Sequence, residues 1–218
     1  MLTDIYGVIL AGGESRRMGG GDKGLEMVGR QPLLAHALAR LSPQVPAFAL
    51  NANGPRARFA AWGLEVIPDA APDRPGPLAG VLAGLDWAAE RGARGIVTVA
   101  WDTPFFPRDL VPRLIDAAEA AGTPLAMAVT PDPRLGTARH PTFGLWDAGL
   151  REDLRACLAG GMRRVVEWTA RHGCAEAMFE AEPFDPFFNV NAPEDLAEAE
   201  RLWAAHLAPG PTPEEAGR

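Results

Sequence analysis

The stretch Leu10-Ala11-Gly12-Gly13-Glu14-Ser15-Arg16-Arg17-Met18-Gly19-Gly20-Gly21-Asp22-Lys23-Gly24 holds the residue types that bind a phosphate chain. Gly12 and Gly13 have no side chains, so their backbone N–H groups can approach an anion directly. Arg16, Arg17 and Lys23 can neutralise a polyphosphate, each charge-assisted contact being worth roughly 1.5–3 kcal/mol. The stretch follows the apolar run Ile5–Leu10, and in α/β sheets ligands bind beyond the carboxyl ends of the strands. The bland alternative is a solvated Gly/Arg loop, but structureless loops above about 12–15 residues are uncommon and usually functional or disordered. Gly19–Gly24 fits GxGxxG, yet it starts nine residues after the run ends and lacks the acidic residue expected about 20 positions on. The chain contains no Gly-Lys pair, so it has no Walker loop.

Two aspartates stand where they would face the same crevice. Asp69 follows the run Leu64–Ile67, and Asp102 follows Ile96–Ala100. A carboxylate opposite a triphosphate makes chemical sense with Mg²⁺ between them, since Mg²⁺ is commonly held by one or two carboxylates plus substrate phosphates. Pro-Asp and Asp-Thr-Pro are also ordinary turn sequences. The two positions together with the glycine stretch favour a site, Asp102 more firmly than Asp69. Asn51, with Asn53 two residues on, closes the run Ala47–Leu50; its amide suits a nucleobase edge, a ribose hydroxyl or a turn cap.

These residues need elements to position them. Apolar runs at Ile5–Leu10, Ala47–Leu50, Leu64–Ile67, Ile96–Ala100 and Leu125–Val129 read as strands. Between them lie helical patterns opened by Pro32 and Pro77, a short helix Arg56–Trp62 stopped by Gly63, and a helix around Leu110–Ala118 stopped by Gly122. This alternation predicts βαβ units and a mostly parallel sheet. The second part is less regular: a strand Thr142–Trp146, helices near Ala148–Leu158 and Arg163–Arg171, a strand near Cys174–Phe179 and a last helix Glu194–His206. One domain over residues 1–207 is expected, with a disordered tail at 208–218 rich in Pro, Gly and Glu.

At 218 residues, with 47% hydrophobic and 22% charged side chains, the chain can bury a full core. Disordered, fibrous and disulfide-stapled classes are excluded. The net charge of −7 argues against a nucleic-acid binder. It is unevenly spread: residues 1–175 carry 18 acidic and 19 basic side chains, residues 176–218 carry 10 and 2. An anionic ligand in the first part therefore meets no net repulsion. Cys157 and Cys174 form no metal or CxxC spacing and read as buried or inert thiols. With no signal-peptide pattern and no apolar run of membrane-spanning length, a cytoplasmic protein without membrane contact is expected. His36 reads as structural, and His172 and His206 as surface residues.

Residues 10–25 read Leu-Ala-Gly-Gly-x-x-x-Arg-Met-Gly-Gly-x-Asp-Lys-Gly-Leu. Asn51-Ala52-Asn53, Pro75-Gly76-Pro77-Leu78-Ala79-Gly80, Asp102-Thr103-Pro104, Arg139-His140-Pro141, Gly161-Met162-Arg163-Arg164-Val165 and Asn189-Val190-Asn191-x-Pro193-Glu194-Asp195-Leu196 follow in order. This series, spanning residues 5–200, resembles the molybdenum cofactor guanylyltransferase family. The resemblance implies an α/β fold: a three-layer α/β/α Rossmann-like nucleotidyltransferase domain, its sheet mostly parallel with one antiparallel strand. It implies transfer of GMP from GTP to molybdenum-bound molybdopterin, with release of pyrophosphate. Carried over by position, Leu10, Ala11, Gly12 and Gly13 bind the nucleotide, Lys23 its phosphates, Asn51 and Asp69 guanine and ribose, and Asp102 Mg²⁺. His140, Arg163, Arg164, Asn189 and Asn191 would line the molybdopterin side. Proteins that supply molybdopterin and apo-molybdoenzymes that receive the product are the partners it suggests.

The chain departs from that pattern twice. Ala100-Trp101 precede Asp102 where the family often has Pro-Cys, which should alter packing beneath the metal. Ala192 replaces a common Thr; at an N-cap the lost hydroxyl costs roughly 0.5–2 kcal/mol. Because the acceptor phosphate is itself a nucleophile, no Ser, Cys or His need attack. Asp102, Lys23 and Arg17 would act by positioning and charge neutralisation during in-line displacement. Other readings are a molybdopterin cytidylyltransferase, a sugar-1-phosphate nucleotidyltransferase, or a noncatalytic GTP-binding cofactor carrier.

Overall fold

The computed structural model describes residues 4–11, 23–70 and 76–208. In chain order its elements are β1 (Ile5–Leu10), β2 (Met27–Val28), β3 (Gln31–Pro32), α1 (Leu33–Leu41), β4 (Phe48–Asn51), β5 (Val66–Ile67), α2 (Pro77–Ala89), β6 (Gly95–Ala100), α3 (Leu110–Ala121), β7 (Leu125–Asp132), β8 (Gly136–Asp147), α4 (Arg151–Ala159), α5 (Val165–Thr169), β9 (Ala175–Met178) and α6 (Pro193–His206). The strands pair in the order β5-β4-β1-β6-β8-β7-β9. All are parallel except β8, which runs against both neighbours.

Strands buried on both faces read as continuous apolar runs, and the central strand β6 is buried at every residue. Side chains alternate across the sheet. Ile5 and Ile9 join a core with Leu34 and Leu41 of α1 and Leu110 and Leu114 of α3. Val8 and Leu10 join the opposite core with Val81 and Leu85 of α2, Leu154 of α4 and Trp168 of α5. This is the expected three-layer α/β/α arrangement with one antiparallel strand. Among the described residues no helix is long and apolar enough to cross a membrane.

Several local expectations change. Pro32 is the N-cap of α1, not its first helical residue, because it pairs with Met27 in a small β2–β3 ribbon. That ribbon turns through Gly29 and Arg30, both at positive φ as a tight two-residue hairpin requires. The strand expected at Thr142–Trp146 runs from Gly136 to Asp147 and forms a hairpin with a lengthened β7. The Asp132 carboxylate turns it, its Oδ1 accepting the N–H groups of Arg134 and Leu135, both at 2.8 Å. His172 is not a surface residue: its side chain is 19% exposed, and its Nε2 lies 2.9 Å from Asp153 Oδ2, which also accepts the Trp168 indole N–H. His36 is buried with Nε2 2.8 Å from the Val28 carbonyl, as a structural histidine should be. Both thiols are free, and burial pushes Cys174 up to about 11.

Ala192 is the N-cap of α6 and offers no hydroxyl. Asp195 compensates in part, its Oδ2 accepting the backbone N–H groups of Asn191 and Ala192 at 2.8 and 2.9 Å. The helix packs Ala199, Leu196 and Trp203 on a satellite core with Val28, Leu33, Phe105 and Val190.

Candidate functional site

The sheet register aligns four strand ends. Leu10 pairs with Asn51 and with Ala100, and Asn51 pairs with Ile67. The ladder continues one residue further: Ala11 N–H donates to the Asn51 carbonyl (2.8 Å), Ala52 N–H to Ile67 (3.0 Å) and Trp101 N–H to Leu10 (3.2 Å). Asp69 and Asp102 therefore leave one straight rim, together with the chain entering the glycine stretch. Leu10 and Ala11 are buried in that rim. Gly12, Gly13, Arg16 and Arg17 lie outside the described residues. Lys23 opens a single 3-10 turn, Lys23–Leu25, that brings the chain back toward the ribbon.

Asp69 is held by two asparagines. Asn51 Nδ2 donates to its Oδ1 at 3.0 Å, and Asn53 Nδ2 donates to its Oδ2 at 2.7 Å. The Asp69 N–H returns a bond to Asn53 Oδ1 at 3.0 Å. Asn51 is 2% exposed, and it fits only because Gly80 of α2 has no side chain. A Cβ there would sit 3.0 Å from Asn51 Cγ and 2.8 Å from a Leu10 methyl. Asn53 and Gly80 are supports to which the sequence alone assigns no role. The signal was present in Asn-x-Asn, whose alternate residues share one face.

Asp102 is half-buried, and its carbonyl accepts the Val190 N–H at 2.9 Å. This bond brings Asn189 and Asn191, both exposed, to either side of the Asp102 backbone. Trp101, 4% exposed, lies beneath. His140 reaches the same end of the sheet along β8: pairing with β6 stops at Thr98–Gly144, and the earlier part of β8 continues past it. Its ring stacks on Phe187 with centroids 4.2 Å apart, and its Nε2 lies 2.9 Å from Thr130 Oγ1. Burial lowers the imidazole pKa below its ordinary range, against the opposing pull of Asp185. Arg163 and Arg164 are exposed and make bonds within their own turn, to the Met162 carbonyl and to Glu167. Among the described residues no such bond joins them to the rim.

The MobA-like NTP transferase domain matches residues 7–175. A molybdenum cofactor guanylyltransferase of Bradyrhizobium sp. is 51% identical over 205 residues, 93% of this chain and 94% of that one. One from Cereibacter sphaeroides is 51% identical over 198 residues, covering 91% and 96%. Among solved structures, molybdopterin-guanine dinucleotide biosynthesis protein A of Archaeoglobus fulgidus superposes with a TM-score of 0.68 at 23% identity, over 92% of this chain and all of that one. CMP:2-keto-3-deoxy-manno-octonic acid synthetase, solved with CTP, gives 0.68 at 14% over 95% and 100%. The fold is thus shared by nucleotidyltransferases of different base and acceptor, whereas half the residues are shared end to end with one group alone among these. By that measure the chain belongs to the molybdenum cofactor guanylyltransferase family.

Proposed function

We propose that this protein transfers GMP from GTP to the terminal phosphate of molybdenum-bound molybdopterin, forming the guanine dinucleotide cofactor and releasing pyrophosphate. The observation that carries this reading is the near-complete, half-identical match to guanylyltransferases. The geometry is consistent with it. The aligned rim offers backbone at Leu10 and Ala11, a pinned carboxylate at Asp69 and a second carboxylate at Asp102, all at the carboxyl end of the sheet.

In this reading Asn51 and Asp69 hold the guanosine part of the nucleotide. A carboxylate with both oxygens already bonded keeps lone pairs aimed outward, which suits the donor groups of guanine or ribose. Lys23 and Arg17 offset phosphate charge as pyrophosphate leaves. Gly12 and Gly13 supply N–H groups at the same phosphates. His140, Asn189 and Asn191 face the acceptor, the pKa of His140 keeping it neutral near pH 7 and able to exchange one hydrogen bond in each direction. Arg163 and Arg164 take part only as long, exposed cations that reach toward acceptor phosphate.

A divalent cation fits Asp102. The donors there are oxygens, and among the described residues no three His, Cys, Asp or Glu side chains gather into a closed cage. Mg²⁺ is commonly held by one or two carboxylates and otherwise by substrate phosphate and water, and Asp102 would be its carboxylate here. When bound it would supply charge neutralisation to the phosphates; the chain's own residues would supply position.

The test is pyrophosphate release with purified, molybdenum-loaded acceptor and either GTP or CTP. Turnover with GTP alone supports the proposal. Preference for CTP would make the protein a cytidylyltransferase, and GTP binding without pyrophosphate release would make it a carrier; either result overturns the reading.

A further inference from the structure

We infer that Trp101 is a positioning residue that locks the Lys23 segment against Asp102, its ring filling the space that Gly24, without a side chain, leaves open. The inference rests on the proposed nucleotide site and deepens it. Gly24 is buried, and a Cβ on it would lie 2.7 Å from both Cδ2 and Cζ3 of the Trp101 indole. The ring thus occupies the space a side chain would take and touches backbone that follows Lys23 directly.

Trp101 is itself fixed at its backbone and at its ring. Its N–H donates to the Leu10 carbonyl at 3.2 Å, in the rim that leads into the glycine stretch. Its ring meets Phe59 edge-on with centroids 6.2 Å apart. Phe59 follows Arg58, whose guanidinium lies 4.7 Å over the Phe59 ring and donates to the Asn53 carbonyl at 2.6 Å. Asp102 is the next residue. One indole therefore touches the phosphate-binding segment, precedes the metal-binding carboxylate, and leans on the loop that pins Asp69. A second tryptophan holds the far end of the segment. A Cβ at Gly29 would lie 2.6 Å from Trp203 Cζ2, and Gly29 N–H donates to Glu200 Oε2 at 3.0 Å. Residues 24–29 are gripped at both ends, and the Trp101 end is the one beside the chemistry.

The contact predicts a specific non-additivity. Gly24→Ala forces a methyl into the indole and should lower kcat/KM for GTP by roughly 100-fold, the cost typical of a displacement of about 1 Å. Trp101→Ala should raise KM for GTP roughly 10-fold while the acceptor KM stays constant. Trp101→Phe, which keeps a ring, should recover most of that loss. In the Trp101→Ala background, adding Gly24→Ala should cost little, because the space is then empty. Thermal midpoints of all variants show which are folded. If Trp101→Ala does not fold, the KM of Trp101→Phe and its partial relief of Gly24→Ala decide the matter. Additive effects, or an unchanged KM for GTP in the folded variants, overturn the inference. Lys23→Ala and Asp102→Ala serve as controls: if these two keep normal turnover, the site reading itself fails, whatever Trp101 does.

Discussion

With Asn51 on one carboxylate oxygen and Asn53 on the other, Asp69 lacks the rotational freedom of an ordinary turn aspartate. Removing one donor releases that constraint without touching the fold of the strand. Asn53→Ala should therefore raise KM for GTP by roughly tenfold, the worth of one hydrogen bond to a charged group at about 1.5 kcal/mol, with kcat nearly unchanged. Steady-state pyrophosphate assays over a GTP series check this. His140 gives a pH prediction. Its folded-state pKa lies below the ordinary value of 6.5, chiefly through burial against Phe187, so the unfolded chain binds the proton more readily. The stability is fully present above the unfolded value and declines as pH falls below it toward the folded one. Between about pH 7.5 and about pH 5.5 the thermal midpoint should drop, and His140→Gln should flatten that part of the slope. An equal slope in the variant would remove His140 as its source. Most rim residues were legible as sequence because they end apolar runs. The Asn-x-Asn spacing was legible too, but the supporting roles of Asn53 and Gly80 were not, since these depend on which neighbours fold against them.

The elements differ in how far the chain announces them. Runs such as Ile5–Leu10 and Ile96–Ala100 declare themselves because both faces are buried. The β7–β8 arm does not, because Pro131, Thr137, Arg139 and Pro141 lie where the hairpin outruns the helices that cover the sheet. Without burial there is no apolar run to read, and only the Asp132 turn marks the reversal. The β2–β3 ribbon, two residues a side, is shorter than any hydrophobic period. Helix α6 illustrates a choice rather than a gap. Its N-cap is alanine, and Asp195 covers the preceding N–H groups from inside the helix. Ala192→Ser should add the missing acceptor and stabilise the protein by about 0.5–2 kcal/mol, seen as a higher thermal midpoint with unchanged kcat. A midpoint that stays or falls would mean that the serine hydroxyl does not reach the first-turn N–H groups of α6.

Across the whole molecule, charge and architecture divide the labour. The −7 net charge comes from the last 43 residues, where Glu194 and Asp195 complement the positive end of α6. The mostly parallel sheet was legible from alternation alone; the three layers and the presence of one antiparallel strand, which is β8, came only from resemblance, because strand polarity leaves no mark in composition. That direction has a mechanical consequence. The parallel strands place Asp69 and Asp102 in the turns that follow them, so the proposed nucleotide side is assembled from turns whose length can change while the sheet stays put. On the proposed acceptor side, β8 brings His140 to the same edge from within a paired strand, opposite Ala128. There the identity of the exposed face depends on parity. Inserting one residue between Gly136 and His140 would turn each preceding side chain to the other face, whereas the same insertion beside Gly54 would only lengthen a loop. Half of this site can drift by insertion, and the other half can change only by substitution.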